Sequence, residues 1–172
     1  MREQQTAPGL RILAIDPATR TGWATNSRSG IESGVREFDL RRGESPGMRF
    51  LHFRHWLEVL AEATGAEVLV FEQAHHRGGA ATELGVGFAT RVMEVAAARG
   101  IEYRSCHTAT LKKYATGAGN ADKERMIEAA LARFPQRRNG GRGGGLTNDE
   151  ADALLLLSWG MDGFPEAARK RR

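Results

Sequence analysis

Two short apolar runs in this chain end on a carboxylate, and that pairing limits what it can fold into. "LRILAID", residues 10–16, and "AEVLVFEQ", residues 66–73, are too short for helices. Turn-forming residues bound them, which predicts buried strands, the second of them central in a sheet. Asp16 and Glu72 stand at the strand ends. If the two strands are neighbours, their carboxylates emerge side by side at one edge of that sheet.

The rest of the chain supplies the partners. "TGWATNS" and "ESGVREFDL" read as two further strands, joined to the first by short connections into an antiparallel meander. "SPGMRFLHFRHWLEVLAEATG" is an amphipathic helix, with Phe50, Phe53, Trp56, Leu57 and Leu60 at helical spacing, begun at Ser45 or Pro46 and ended by Gly65. "ATELGVGFATRVMEVAAARG" is a second helix closed by Gly100, and its Gly85 and Gly87 predict close approach by another element. "IEYRSCH" is a fifth strand. A turn-rich stretch then leads through "TGAGNA" to the helix "DKERMIEAALARF" and a glycine-rich loop, "PQRRNGGRGGG". "LTNDEADALLLLSWG", residues 146–160, is the last helix. The order predicts an α/β fold: a five-stranded mixed sheet, a three-strand meander plus two parallel strands, flanked by helices. Residues 10–165 are expected to form one domain, after a disordered lead-in over 1–9 and before a basic tail over 166–172.

Composition narrows the setting. The chain has one cysteine, Cys106, which excludes an intramolecular disulfide and a cysteine-rich zinc site. No apolar run approaches the roughly 18 residues of a membrane span, so no membrane is expected as a partner. Lys and Arg number 25 against 21 Asp and Glu, a net charge of +4 that alone hints only weakly at nucleic acid. The placement says more: Arg137, Arg138 and Arg142 crowd the glycine-rich loop, and Arg169 to Arg172 is wholly basic.

The last helix carries two acids of its own, Asp149 and Asp152, three residues apart and therefore on one face. Thr147 and Glu150 form a T-x-x-E capping box, and Asp149 is adequately explained beside it as an acid favouring a helix N-terminus. Asp152 is not, because it lies past the first turn on the side of Leu155 and Leu156. Asp16 and Glu72, each taken alone, are ordinary strand-end acids as readily as ligands. The four together point to a cation. Clustered carboxylates raise one another's pKa unless a cation offsets them, and oxygen-only donors suit Mg²⁺ or Mn²⁺. Two such ions about 3.5–4 Å apart would serve phosphodiester hydrolysis.

"ILAIDPATRTGWA" resembles the first motif of the RuvC family of Holliday-junction resolvases, an "IDPGxxxTG" stretch. "VLVFEQ" resembles the second, "LKKYATGAGNADKERM" is similar to the family's lysine-containing segment, and "NDEADALLLL" resembles its closing D-x-x-D-A motif. The four occur in family order over nearly the whole chain. The resemblance implies an RNase H-like fold working as a homodimer. It implies a Mg²⁺-dependent nuclease that cuts two opposed strands of a four-way DNA junction and needs no nucleotide cofactor. By motif, Asp16, Glu72, Asp149 and Asp152 would be metal ligands, and Lys112 and Lys123 would stand near the scissile phosphate, with Lys113 beside them. A cytoplasmic, nucleoid-associated protein of bacterial or phage origin is expected.

There are departures. Ala18 replaces a glycine of the first motif, and "AHHRGGAAT" replaces the segment in which the family carries an aromatic wedge. His75 and His76, with Arg77, either meet base or phosphate there or form a polar loop. Gly85 and Gly87 fall on the helix that pairs across the family's dimer axis, and the arginines of residues 135–145 are placed to follow DNA phosphates. A related nuclease acting on forks, flaps or structured RNA, and a junction-binding module without catalysis, are the competing readings. An actin-like ATPase shares a first motif of this kind but needs a second lobe.

Overall fold

The computed structural model describes residues 9–74, 78–138 and 145–164. Its order is β1 (Ile12–Asp16), β2 (Arg20–Ser27), β3 (Gly30–Glu37), α1 (Gly47–Thr64), β4 (Val68–Glu72), α2 (Ala80–Arg99), β5 (Glu102–Cys106), α3 (Thr108–Thr116), α4 (Lys123–Arg133), a 3-10 turn at Pro135–Arg137, and α5 (Asn148–Gly163). The five strands form one sheet in the order β3-β2-β1-β4-β5. β1 pairs antiparallel with β2 and parallel with β4, β2 pairs antiparallel with β3, and β4 pairs parallel with β5. The expected mixed sheet is therefore present.

The central strands read as continuous apolar runs because helices cover both faces. Side chains alternate across a strand. Ile12, Ala14, Val68 and Val70 thus face one core with the leucines of α5, while Leu13, Ile15, Leu69 and Phe71 face the other with α1 and α2. α5 lies between the sheet and the pair α3 and α4, which is why Ala151, Ala153 and Leu154 to Leu157 are all buried. α1 and α2 each end on a left-handed glycine, Gly65 and Gly100, as their sequences predict.

The close approach signalled by Gly85 and Gly87 takes place within the chain. A β-carbon on Gly87 would overlap the Phe50 ring of α1, and one on Gly85 would meet Ala74 at 3.4 Å. Packing of α1 on α2 accounts for Gly87 without a second copy.

α3 was not expected: the sequence there reads as turn-rich. It is a nine-residue helix pinned by one fully buried side chain, Leu111. Tyr114 ties it further, its hydroxyl 2.8 Å from Ser158 Oγ of α5. The 1–8 part of the expected lead-in, residues 75–77, residues 139–144 and the basic tail lie outside the described residues.

Candidate active site

Asp16 ends β1 and Glu72 ends β4, and because the two strands pair in parallel both carboxylates leave the sheet at the same edge. The segment after Asp16 is fixed by Thr21, whose buried hydroxyl donates to the Ala18 carbonyl at 2.6 Å. Gly22, opposite Asp16 in the β1–β2 register, does the second job. A β-carbon there would overlap the backbone carbonyl of Asp149, so only glycine admits the first turn of α5 onto the sheet. The "TG" of the first motif closes the turn beside one acid and lets in the helix bearing two more.

The start of α5 is capped as the T-x-x-E pattern predicts on one side. Thr147 Oγ1 accepts from the Glu150 amide at 3.2 Å. The Glu150 carboxylate turns instead to β3, where Ser33 Oγ donates to it at 2.6 Å. Asp149 is turned outward: its Oδ2 accepts from Arg20 Nε at 2.8 Å, and Arg20 Nη1 also donates to Glu37 at 3.0 Å. Arg20 was not singled out in the sequence, although a cation four residues after Asp16 within the same motif was a usable signal.

The four acids share one electrostatic neighbourhood. Burial, then Glu72, Asp152 and Asp149 in that order, push the Asp16 carboxyl well above the ordinary aspartate value of 3.8. Burial first, then Glu72 and Asp149, push Asp152 up to about 7. Lys112 of α3 and Lys123, the first residue of α4, act in the opposite sense on Asp152. Both motif lysines thus stand at the acid centre. Cys106, paired with Glu72 in the β4–β5 register, is pushed up to about 11 by burial and by Glu72. Thr108, at the start of α3, donates its hydroxyl to Glu72.

A cluster of carboxylates that raise one another's pKa fits a hard divalent ion by its donor chemistry. The side chains are not drawn in: among the described residues no three His, Cys, Asp or Glu are gathered tightly enough to enclose a metal. Beside Asp16 and Glu72 opens a cavity of about 310 Å³, reaching Ala18, Ala74 and Thr82 at the start of α2. A larger cleft of about 740 Å³ lies between β3 and α1, along Phe38, His52 and Trp56, and includes Glu37 but none of the four acids.

The other expected contact residues disperse. Lys113 is exposed on α3 and Arg138 is exposed after the 3-10 turn. Arg137 is half-buried and donates to the Ile31 carbonyl of β3 at 2.6 Å. His75, His76, Arg77 and Arg142 lie outside the described residues.

No protein-family model matches the chain, and no curated protein matches it in sequence. Solved structures do. RuvC of T. thermophilus in complex with a Holliday junction substrate superposes with a TM-score of 0.69 at 16% identity, over 90% of this chain and 96% of that one. A second Thermus thermophilus RuvC structure gives 0.64 at 15% identity, over 90% and 95%. The yeast mitochondrial Holliday junction resolvase Ydc2 gives 0.61 at 14% identity, over 92% and 82%. At such identities the likeness is one of fold, and in fold this chain is RuvC-like, built on the RNase H-like plan.

Proposed function

We propose that the chain is a divalent-metal-dependent endonuclease that resolves four-way DNA junctions, acting as a homodimer that cuts two opposed strands and leaves 5′-phosphate ends. One observation carries the reading. Acids from β1, β4 and α5 meet two lysines at one edge of a RuvC-like fold and repel one another there. A protein that only bound junctions would have no use for so unfavourable a cluster.

Asp16, Glu72, Asp149 and Asp152 would hold Mg²⁺, two ions in all, with Mn²⁺ as a substitute. Bound there, such a metal would supply an activated water and neutralise charge on the phosphodiester. The remaining work belongs to the chain. Thr108 holds the Glu72 carboxylate by its hydroxyl. Lys112 and Lys123 favour the ionised form of Asp152, which is the form that binds a cation, and they offer ammonium groups to a phosphate beside it. The cavity next to Asp16 leaves room for the strand on the α2 side.

The test is side-by-side cleavage of a mobile four-way junction, a fork and a linear duplex, in Mg²⁺ and in chelator. Paired symmetric cuts in the junction, lost in chelator while binding persists, are expected. Cutting that survives in chelator would overturn the reading, and preference for the fork would move the substrate.

A further inference from the structure

The Asp149 carboxylate is bonded to a cation of the chain itself. Arg20 Nε donates to Asp149 Oδ2 at 2.8 Å while Arg20 Nη1 donates to Glu37 at 3.0 Å, so one guanidinium forks between two acids. The fork is built in. Arg20 opens β2 and pairs directly with Glu37 at the end of β3, so sheet register sets the second anchor. The backbone of Asp149 is equally fixed, lying against Gly22 with no room for a β-carbon between them. The Asp149 side chain is left to turn.

A dication at the acid centre and the Arg20 guanidinium therefore compete for one carboxylate. We propose that Arg20 is a positioning residue that holds Asp149 away from the other three acids until a divalent cation displaces it. The inference rests on reading those acids as a metal site. It accounts for the Asp149 carboxylate being paired with Arg20 while it shares a field with Asp16 and Asp152. The Arg20 side chain is half exposed, which lets it swing clear without disturbing the core. The plainer alternative is a staple: an ion pair fastening α5 to β2 and nothing more. The two differ in sign. Removing a staple loosens the site and weakens metal binding, whereas removing a competitor strengthens it.

The experiment is calorimetric titration of the full metal-free chain with Mn²⁺, for wild type, Arg20→Gln, Arg20→Lys, Asp149→Asn and the double variant Arg20→Gln with Asp149→Asn. Arg20→Gln is expected to tighten Mn²⁺ about three- to fivefold, the factor a half-exposed ion pair is worth. In the Asp149→Asn background that gain should vanish, because Arg20 acts through Asp149. Arg20→Lys keeps the charge but loses the fork, and should shift affinity in the same direction by a smaller factor; it decides the sign if Arg20→Gln does not fold. Unchanged or weaker binding overturns the proposal. So does an equal gain in the Asp149→Asn background, which would mark a general charge effect. Asp16→Asn and Asp152→Asn guard the underlying reading. If they bind Mn²⁺ like wild type, the acids are not the metal site and both ideas fall. If they lose it while Arg20→Gln changes nothing, only the role of Arg20 falls.

Discussion

Gly22 lies against the peptide carbonyl of Asp149, and the two backbones leave no space for a side chain. Replacing Gly22 with alanine should push the first turn of α5 off β2 and carry Asp149 and Asp152 with it. Overpacking of this kind costs about 1–3 kcal/mol. Thermal unfolding should register that loss, and junction cleavage should fall further than the lost stability explains.

The raised carboxyls set a pH dependence with a definite sign. Asp152 is pushed up to about 7 by burial and by its acidic neighbours, and Asp16 well above 3.8. Between the ordinary value and about 7 the folded chain holds protons that the unfolded chain releases, so stability falls as pH rises through that window. The urea midpoint of the metal-free chain should be higher at pH 5 than at pH 8. Asp152→Asn should flatten the difference, and Mg²⁺ at pH 8 should restore the midpoint.

Asp16→Asn removes a charge that three neighbours oppose. Cleavage should be abolished while the metal-free chain at pH 8 melts at a higher temperature. Each 1 kcal/mol of relieved repulsion corresponds to roughly 2–4 °C for a chain of this size. A lower melting temperature would mean that Asp16 is held by attractive contacts instead.

Lys112 and Lys123 both favour ionised Asp152. Alanine at either position should lower cleavage on the order of 10²-fold, the scale of losing one electrostatic donor at a transition state. It should also move the acid limb of the pH–rate profile upward, a shift that a purely structural role would not produce.

Arg137 and Arg138 are neighbours with separable roles. Arg137 donates to the Ile31 carbonyl at 2.6 Å, so Arg137→Ala should cost about 1–2 kcal/mol of stability. Exposed Arg138 is free to meet a phosphate: Arg138→Ala should leave stability alone and reduce the salt slope of DNA binding by about one. Equal effects on the slope would return Arg137 to the DNA surface.

How much of this was legible beforehand depended on range. Asp16 and Glu72 announce themselves because each ends an apolar run, and Asp152 because it interrupts an apolar helix face. The antiparallel meander follows from short turns between strands of that character, whereas the neighbouring of β1 and β4 stood only as a condition. Arg20 escaped notice because its partners lie 17 and 129 residues away, and nothing local marks a residue for a distant ion pair. The role of Gly22 was hidden for the same reason. α3 was missed because "TATLKKYAT" has two β-branched residues in its first turn and just one residue, Leu111, fully buried. Tertiary anchoring, not propensity, makes it a helix.

The acid centre is assembled from the first strand, the fourth strand and the last helix. A chain emerging from the ribosome therefore carries Asp16 and Glu72 long before Asp149 and Asp152 exist to join them. Until α5 docks on Gly22, a nascent or truncated chain would hold half of the proposed ligand set, and its two lysines would lack Asp152. Such a chain would lack the centre that the proposed cleavage needs.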